Sequence, residues 1–111
     1  MKEQVALLIE TIKADYKNWD NSAGVPGREE IRAQMIEEFN NSFEVREGSK
    51  YIKIIVKRSV WGFIVNTDTD KKFRKGDILK PAGWAAPARN AARGNILDGG
   101  YTVRWTGPLY L

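Results

Sequence analysis

Residues 43–65 read FEVREGSKYIKIIVKRSVWGFIV, and this stretch decides the fold. Before it, apolar side chains recur every three or four positions. From Phe43 the period drops to two. Phe43 and Val45 alternate with Glu44 and Arg46, and Glu47-Gly48-Ser49-Lys50 has the chemistry of a turn. Residues 51–57, YIKIIVK, and 60–65, VWGFIV, are dense in β-branched and aromatic residues, with Arg58-Ser59 as the tight link between them. The pattern predicts a three-stranded antiparallel meander. Ile52, Ile54 and Val56 line one face, and Tyr51 and Ile55 line the other. Both faces carry apolar residues, so helices are expected over one and further sheet over the other.

Toward the N-terminus, residues 2–19 form an amphipathic helix, with Val5, Leu8, Ile9, Ile12, Tyr16 and Trp19 on one stripe. Asp20-Asn21-Ser22 stops it. Residues 23–27, AGVPG, make a short connection in which Pro26 suits the first turn of the next helix, and Glu29 and Glu30 suit its positive end. Ile31, Met35, Ile36 and Phe39 mark the apolar face of a second helix, ended by Asn40-Asn41-Ser42. Residues 1–42 are therefore a helical hairpin. Glu10, Lys13 and Asp15 interrupt the N-terminal apolar residues, which excludes a signal peptide. No stretch approaches the ~20 apolar residues needed to span a bilayer. The expected location is the cytoplasm, with no membrane partner.

Toward the C-terminus, residues 66–72, NTDTDKK, form a polar loop. Asn66, Asp68, Asp70 and Asp77 fall on a calcium-loop template, but Lys71 stands where that template needs glycine, so the reading is a solvated turn. Lys75-Gly76-Asp77 is a turn and Ile78-Leu79 a short strand. Residues 81–95, PAGWAAPARNAARGN, are an irregular basic connection of the kind in which function sits. Ile96-Leu97 and residues 101–105 are expected to pair as a hairpin through Asp98-Gly99-Gly100. Tyr101, Val103 and Trp105 then face one way, Thr102 and Arg104 the other. The apolar end, Leu109-Tyr110-Leu111, is expected to dock on the body. The fold class is α+β: two N-terminal helices packed on a bent, barrel-like antiparallel sheet of five or six strands. Residues 1–111 make a single domain, with 43–111 as its antiparallel β part and 81–95 as its irregular loop.

The segment KFRKGDILKPAGWAAPARNAARGNILDGGYTVRWTGPLYL resembles small proteins of unknown function encoded by tailed bacteriophages. Lys75-Gly76-Asp77-Ile78-Leu79, Trp84, Pro87-Ala88, Ala92-Arg93-Gly94-Asn95 and Arg104-Trp105-Thr106-Gly107-Pro108 carry the resemblance, with residues 60–64 fitting too. It implies a phage gene product acting in the host bacterial cytosol. It implies no activity, and no functional residue is carried over.

The 111 residues include no Cys and no His, which removes disulfides, thiolate chemistry and the commonest general base. Charge is unevenly placed: residues 71–111 hold eight Lys/Arg against two Asp/Glu, whereas residues 1–50 hold seven against ten. Lys71, Lys72, Arg74, Lys75, Lys80, Arg89, Arg93 and Arg104 are interleaved with Phe73, Trp84, Tyr101 and Trp105. Cations beside aromatic platforms are what single-strand nucleic-acid binders use. One helical turn over residues 87–93 would put Arg89 and Arg93 on one face. The expected binding set is Arg74, Lys75, Lys80, Trp84, Arg89, Arg93 and Arg104. It includes no catalytic residue, no metal ligand and no cofactor. The expected function is non-enzymatic binding of nucleic acid or another polyanion. One alternative is binding and inhibition of a host protein through residues 81–95, for which Trp84 is suitable hot-spot material. The other is an enzyme with a carboxylate site drawn from Asp68, Asp70, Asp77 and Asp98.

Overall fold

The computed structural model describes residues 1–19 and 29–108. The expected helix stop at Asp20-Asn21-Ser22, the connection around Pro26 and the docking of residues 109–111 fall outside them. The apolar stripe of α1 (Lys2–Trp19) buries Val5, Leu8, Ile12 and Tyr16. The stripe of α2 (Glu29–Asn40) behaves differently. Phe39 is fully buried, whereas Ile31 and Met35 stay exposed at 54% and 40%. The helix lies on the core by its C-terminal turn, which Ser42 closes by donating from Oγ to the Phe39 carbonyl at 2.6 Å.

The meander forms as expected, and β1 (Phe43–Glu47), β2 (Tyr51–Val56), β3 (Ser59–Val65) and β4 (Ile78–Leu79) lie in that order in one antiparallel sheet. Two details differ. Ser59 pairs with Val56 inside the ladder, so the tight link is Lys57-Arg58 and not Arg58-Ser59. Both link residues have positive φ (50° and 66°), the twist that a two-residue hairpin demands even of residues other than glycine. In addition, Ile54 faces Gly62 while Ile55 faces Val60, so Trp61 is one residue too many on β3. This bulge turns the indole into the helix-side core, where its Nε1–H donates to the Arg104 carbonyl at 2.8 Å.

The C-terminal hairpin also departs from expectation. Gly99 and Gly100 take positive φ but join no strands. Instead β5 (Val103–Arg104) turns through Trp105-Thr106 and pairs with β6 (Gly107–Pro108) in a separate two-stranded sheet. Asn95 makes only an isolated bridge with Asp77. Among the described residues the six strands therefore divide between two sheets, and no barrel closes. The reason is local: β5 pairs with β6 and does not extend the edge at β4. Tyr101, Val103 and Trp105 do share a side, packed on the helix-side core.

That core joins Leu8, Ile12, Tyr16 and Phe39 to Ile52, Ile54, Trp61 and Ile64. The opposite face of the sheet carries a smaller cluster of Phe63, Val65, Phe73 and Leu79, with Tyr51, Val60 and Ala92 at its margin. Its cover is the parts of the connection on either side of β4, through Phe73 and Ala92, not a second layer of sheet.

Candidate functional site

The 66–95 connection is fastened to the meander by polar side chains. Asn66 donates from Nδ2 to the Gly48 carbonyl and from its amide to the Lys50 carbonyl, each at 2.8 Å, and so fixes the β1–β2 turn. Asp70 accepts from the amides of Lys72 and Phe73 at 2.8 and 2.9 Å. It also receives both guanidinium ends of Arg89, Nη1 and Nη2 each at 2.9 Å. Arg89 donates further to the Tyr51 hydroxyl and lies 5.0 Å from the centre of the Phe73 ring. Lys72 donates to the Arg89 carbonyl. The Arg89 hydrogen bonds, followed by those from the two amides, hold the Asp70 carboxyl well below the usual carboxylate range.

A second fastening sits where the connection enters and leaves the sheet. Asp77 and Asn95 are both buried. Asn95 donates from Nδ2 to Asp77 Oδ1 at 2.9 Å and to the Lys75 carbonyl at 3.0 Å. Its Oδ1 accepts from the amides of Leu97 and Asp98, and Asp77 Oδ2 accepts from the Arg74 amide. Gly76 is required here. Its φ is 92°, and a Cβ would lie 2.8 Å from Asn95 Oδ1 and 2.9 Å from the Leu97 Cγ.

Between these fastenings the chain runs out and back. Pro81 and Pro87 form a bridge, and Ala82 and Gly83 donate to the Ala86 carbonyl. Trp84 sits at the tip, half exposed. Lys53 Nζ lies 4.5 Å from the centre of its ring and the Arg46 guanidinium 5.5 Å. These two cations are direct cross-strand partners on β1 and β2. Like charges placed so oppose pairing. Each lies against the same indole, and Arg46 also reaches Glu44 at 3.2 Å.

The seven residues singled out from the sequence do not form one cluster. Lys80, Trp84, Arg89 and Arg93 lie along the connection. The helical turn over residues 87–93 does not form, because the amides of Ala88 and Arg93 donate back to the Lys80 and Ile78 carbonyls. Arg89 is anchored on Asp70, while Arg93 bends onto its own loop, to the Ala91 carbonyl and Asn90 Oδ1. Arg74 pairs with Asp98, and the Lys75 carbonyl serves Asn95. Arg104 lies on the helix side of the sheet, paired with Asp15 at 3.5 Å. Of the four carboxylates considered for a catalytic site, Asp70 goes to Arg89, Asp77 to Asn95 and Asp98 to Arg74, and Asp68 is exposed on the 67–71 loop. Arg46, Lys53 and Tyr51 lie outside the expected set yet join this face. Alternation does place Lys53 on the same face as Tyr51, and that was the available signal.

No helix among the described residues is long and apolar enough to cross a membrane. The sequence model of DUF7717, a family of unknown function, matches residues 1–110, and the chain belongs to that family. An uncharacterised family is what the sequence resemblance led us to expect. Comparison with curated proteins and with solved structures gives no match.

Proposed function

We propose that this protein is a non-enzymatic binding protein for nucleic acid or another polyanion. Contact centres on Trp84, Lys53 and Arg46 and extends along the connection through Lys80, Arg89 and Arg93. One observation carries the reading: a half-exposed tryptophan, lifted on a hairpin-like tip, stands over two cations from neighbouring strands. The open part of the indole offers a surface for a base, worth about 1–3 kcal/mol per stacked base. Lys53 and Arg46 stand where the attached phosphates would pass. Lys53 has no carboxylate partner among the described residues, so its charge is available to a ligand. The charge excess of residues 71–111 supplies the longer-range attraction.

The test is a titration of the full chain with a single-stranded oligonucleotide, followed by Trp fluorescence at several salt concentrations. Affinity should fall steeply with salt, and Trp84→Ala should weaken binding about tenfold or more while lowering the melting temperature by only a few degrees. No binding to DNA or RNA at low salt would sink the reading. The resemblance to tailed-phage proteins extends the proposal to a partner met in a bacterial cytosol. The exposed indole at the tip also suits a host-protein pocket. Capture of one host protein after nuclease treatment, lost in Trp84→Ala, would select that alternative.

A further inference from the structure

A cleft of about 530 Å³ opens between the β1–β2 turn and the 67–71 loop, lined by Ser49, Lys50, Thr67, Thr69, Lys71 and Arg89, with Asp70 in its wall. It is separate from the Trp84 platform but lies along the same strand. Tyr51, which holds Arg89, and Lys53, which stands under Trp84, are two residues apart on one face of β2, about 7 Å along the strand.

The carboxylate in the wall is the first objection to an anion there. It does not stand. Asp70 Oδ1 accepts from Lys72 N, Phe73 N and Arg89 Nη2, and Oδ2 accepts from Arg89 Nη1. Its side chain is only 2% exposed. The charge of Asp70 is balanced by Arg89 and its lone pairs face protein donors, so the pair adds no net charge to the cleft. What remains is Lys50 and Lys71, both exposed, neither with a carboxylate partner among the described residues. The hydroxyls add donors. Thr67 Oγ1 and Thr69 Oγ1 are 2.9 Å apart, and one hydrogen bond between them uses one of their two protons. Thr67 Oγ1 also accepts from the Thr69 amide at 3.2 Å. One threonine proton and the Ser49 hydroxyl are therefore left to donate into the cleft. Two ammonium groups, hydroxyl donors and a neutralised, rigid floor match a tetrahedral oxyanion, whose oxygens accept and never donate when fully ionised.

We propose that this cleft is a phosphate subsite, taking one phosphate group of the polyanion bound at Trp84. The ligand assignment rests on the polyanion reading above. The phosphate chemistry rests on the cleft alone. The phosphate comes either from the backbone of a nucleic acid or from a terminal or free phosphate.

The test begins with the isotopically labelled full chain, titrated with inorganic phosphate against chloride at equal ionic strength. Amide shifts concentrated at residues 49–50 and 67–71 are expected. They should vanish in the Lys50→Gln/Lys71→Gln variant and persist in Lys2→Gln/Lys17→Gln, which has the same net charge. Absent shifts, or shifts spread evenly over the surface, overturn the subsite. Single-stranded oligonucleotides with and without a 5′-phosphate then identify the source. The Lys50/Lys71 variant should lose about tenfold in affinity, and its slope of log K on log salt should fall by about 1. Loss confined to the phosphorylated oligonucleotide assigns the cleft to a terminal phosphate; equal loss for both assigns it to the backbone. Unchanged affinity and slope overturn the subsite and leave the Trp84 reading standing. Localised phosphate shifts without any oligonucleotide binding overturn the polyanion reading and leave the cleft as a site for a small phosphate ligand.

Discussion

On the helix side of the sheet, Leu8, Ile12, Phe39, Ile54 and Ile64 are sealed from water, and Tyr16 stacks on Phe39 with ring centres 4.0 Å apart. On the other side the apolar cluster is small, and the cover is held by Asp70 on Arg89, Asp77 on Asn95 and Asn66 on Gly48. The two faces use different physics. Apolar burial is non-directional and tolerates small shifts, whereas a hydrogen bond fixes direction atom by atom. A face that must present side chains at set positions gains from the second kind of attachment. All the residues proposed for binding at Trp84 and in the phosphate cleft belong to the polar-fastened side.

The largest expected effect breaks the helix side. Phe39→Ala removes a fully buried ring that contacts Tyr16, Phe43 and Trp105, and it should cost about 3–5 kcal/mol in denaturant unfolding. Among molecules that remain folded, oligonucleotide affinity should be unchanged; a parallel loss would show the two faces to be coupled. The next effect breaks the polar side. Asn95→Ala leaves Asp77 Oδ1 and the Leu97 and Asp98 amides without their partner, for about 2–3 kcal/mol. Here binding should fall even well below the melting temperature, with amide exchange quickening over residues 74–95 and not in α1. Equal protection in both regions would erase the distinction drawn between the faces. The subtlest effect is a slope. The folded-state pKa of Asp70 is depressed, so its stabilisation is full above the ordinary carboxylate value of about 3.9 and is lost as pH falls toward the folded value. The stability difference between wild type and Asp70→Asn should therefore be constant at neutral pH and narrow with acidification below about pH 4. A difference that does not change with pH would show that the Arg89 pair adds nothing to folding.

The parts of this architecture that repeat were readable in advance. The meander and the stripe of α1 each carry a period in the sequence, and both formed, the meander with its second link one residue earlier and a bulge in β3. The polar fastenings carry none. Asp70 and Arg89 are 19 residues apart, and the sequence marks Asp70 through a failed calcium template and a set of candidate carboxylates, neither of which points to Arg89. The cation pair under Trp84 depends on the register set by the Ser49-Lys50 turn, which no propensity fixes. The bulge at Trp61 puts Trp61 in one cluster with Ile64 and Val60 in the other with Phe63, each pair three residues apart, a break in alternation invisible to any two-residue rule. Gly99-Gly100 misled because positive φ is needed there for a loop and not for a hairpin. Met35 and Ile31 misled because an apolar stripe shows only that a helix has a face, not that the face is covered.

The Trp105 amide donates to Asp15 Oδ2 at 2.8 Å, across 90 residues of chain. The β2–β3 hairpin, by contrast, closes through a two-residue link. Loop-closure entropy favours the near contacts first, so the Asp15 latch is expected to close late in the folding reaction. A contact made after the barrier governs how long the native state survives and not how fast it is reached. In a chevron plot, Asp15→Ala should raise the unfolding limb and leave the folding limb in place; a slowed folding limb would put the latch inside the nucleus. On the expected outcome one half-buried carboxylate would act as a kinetic clasp, setting the lifetime of a structure whose assembly it does not direct.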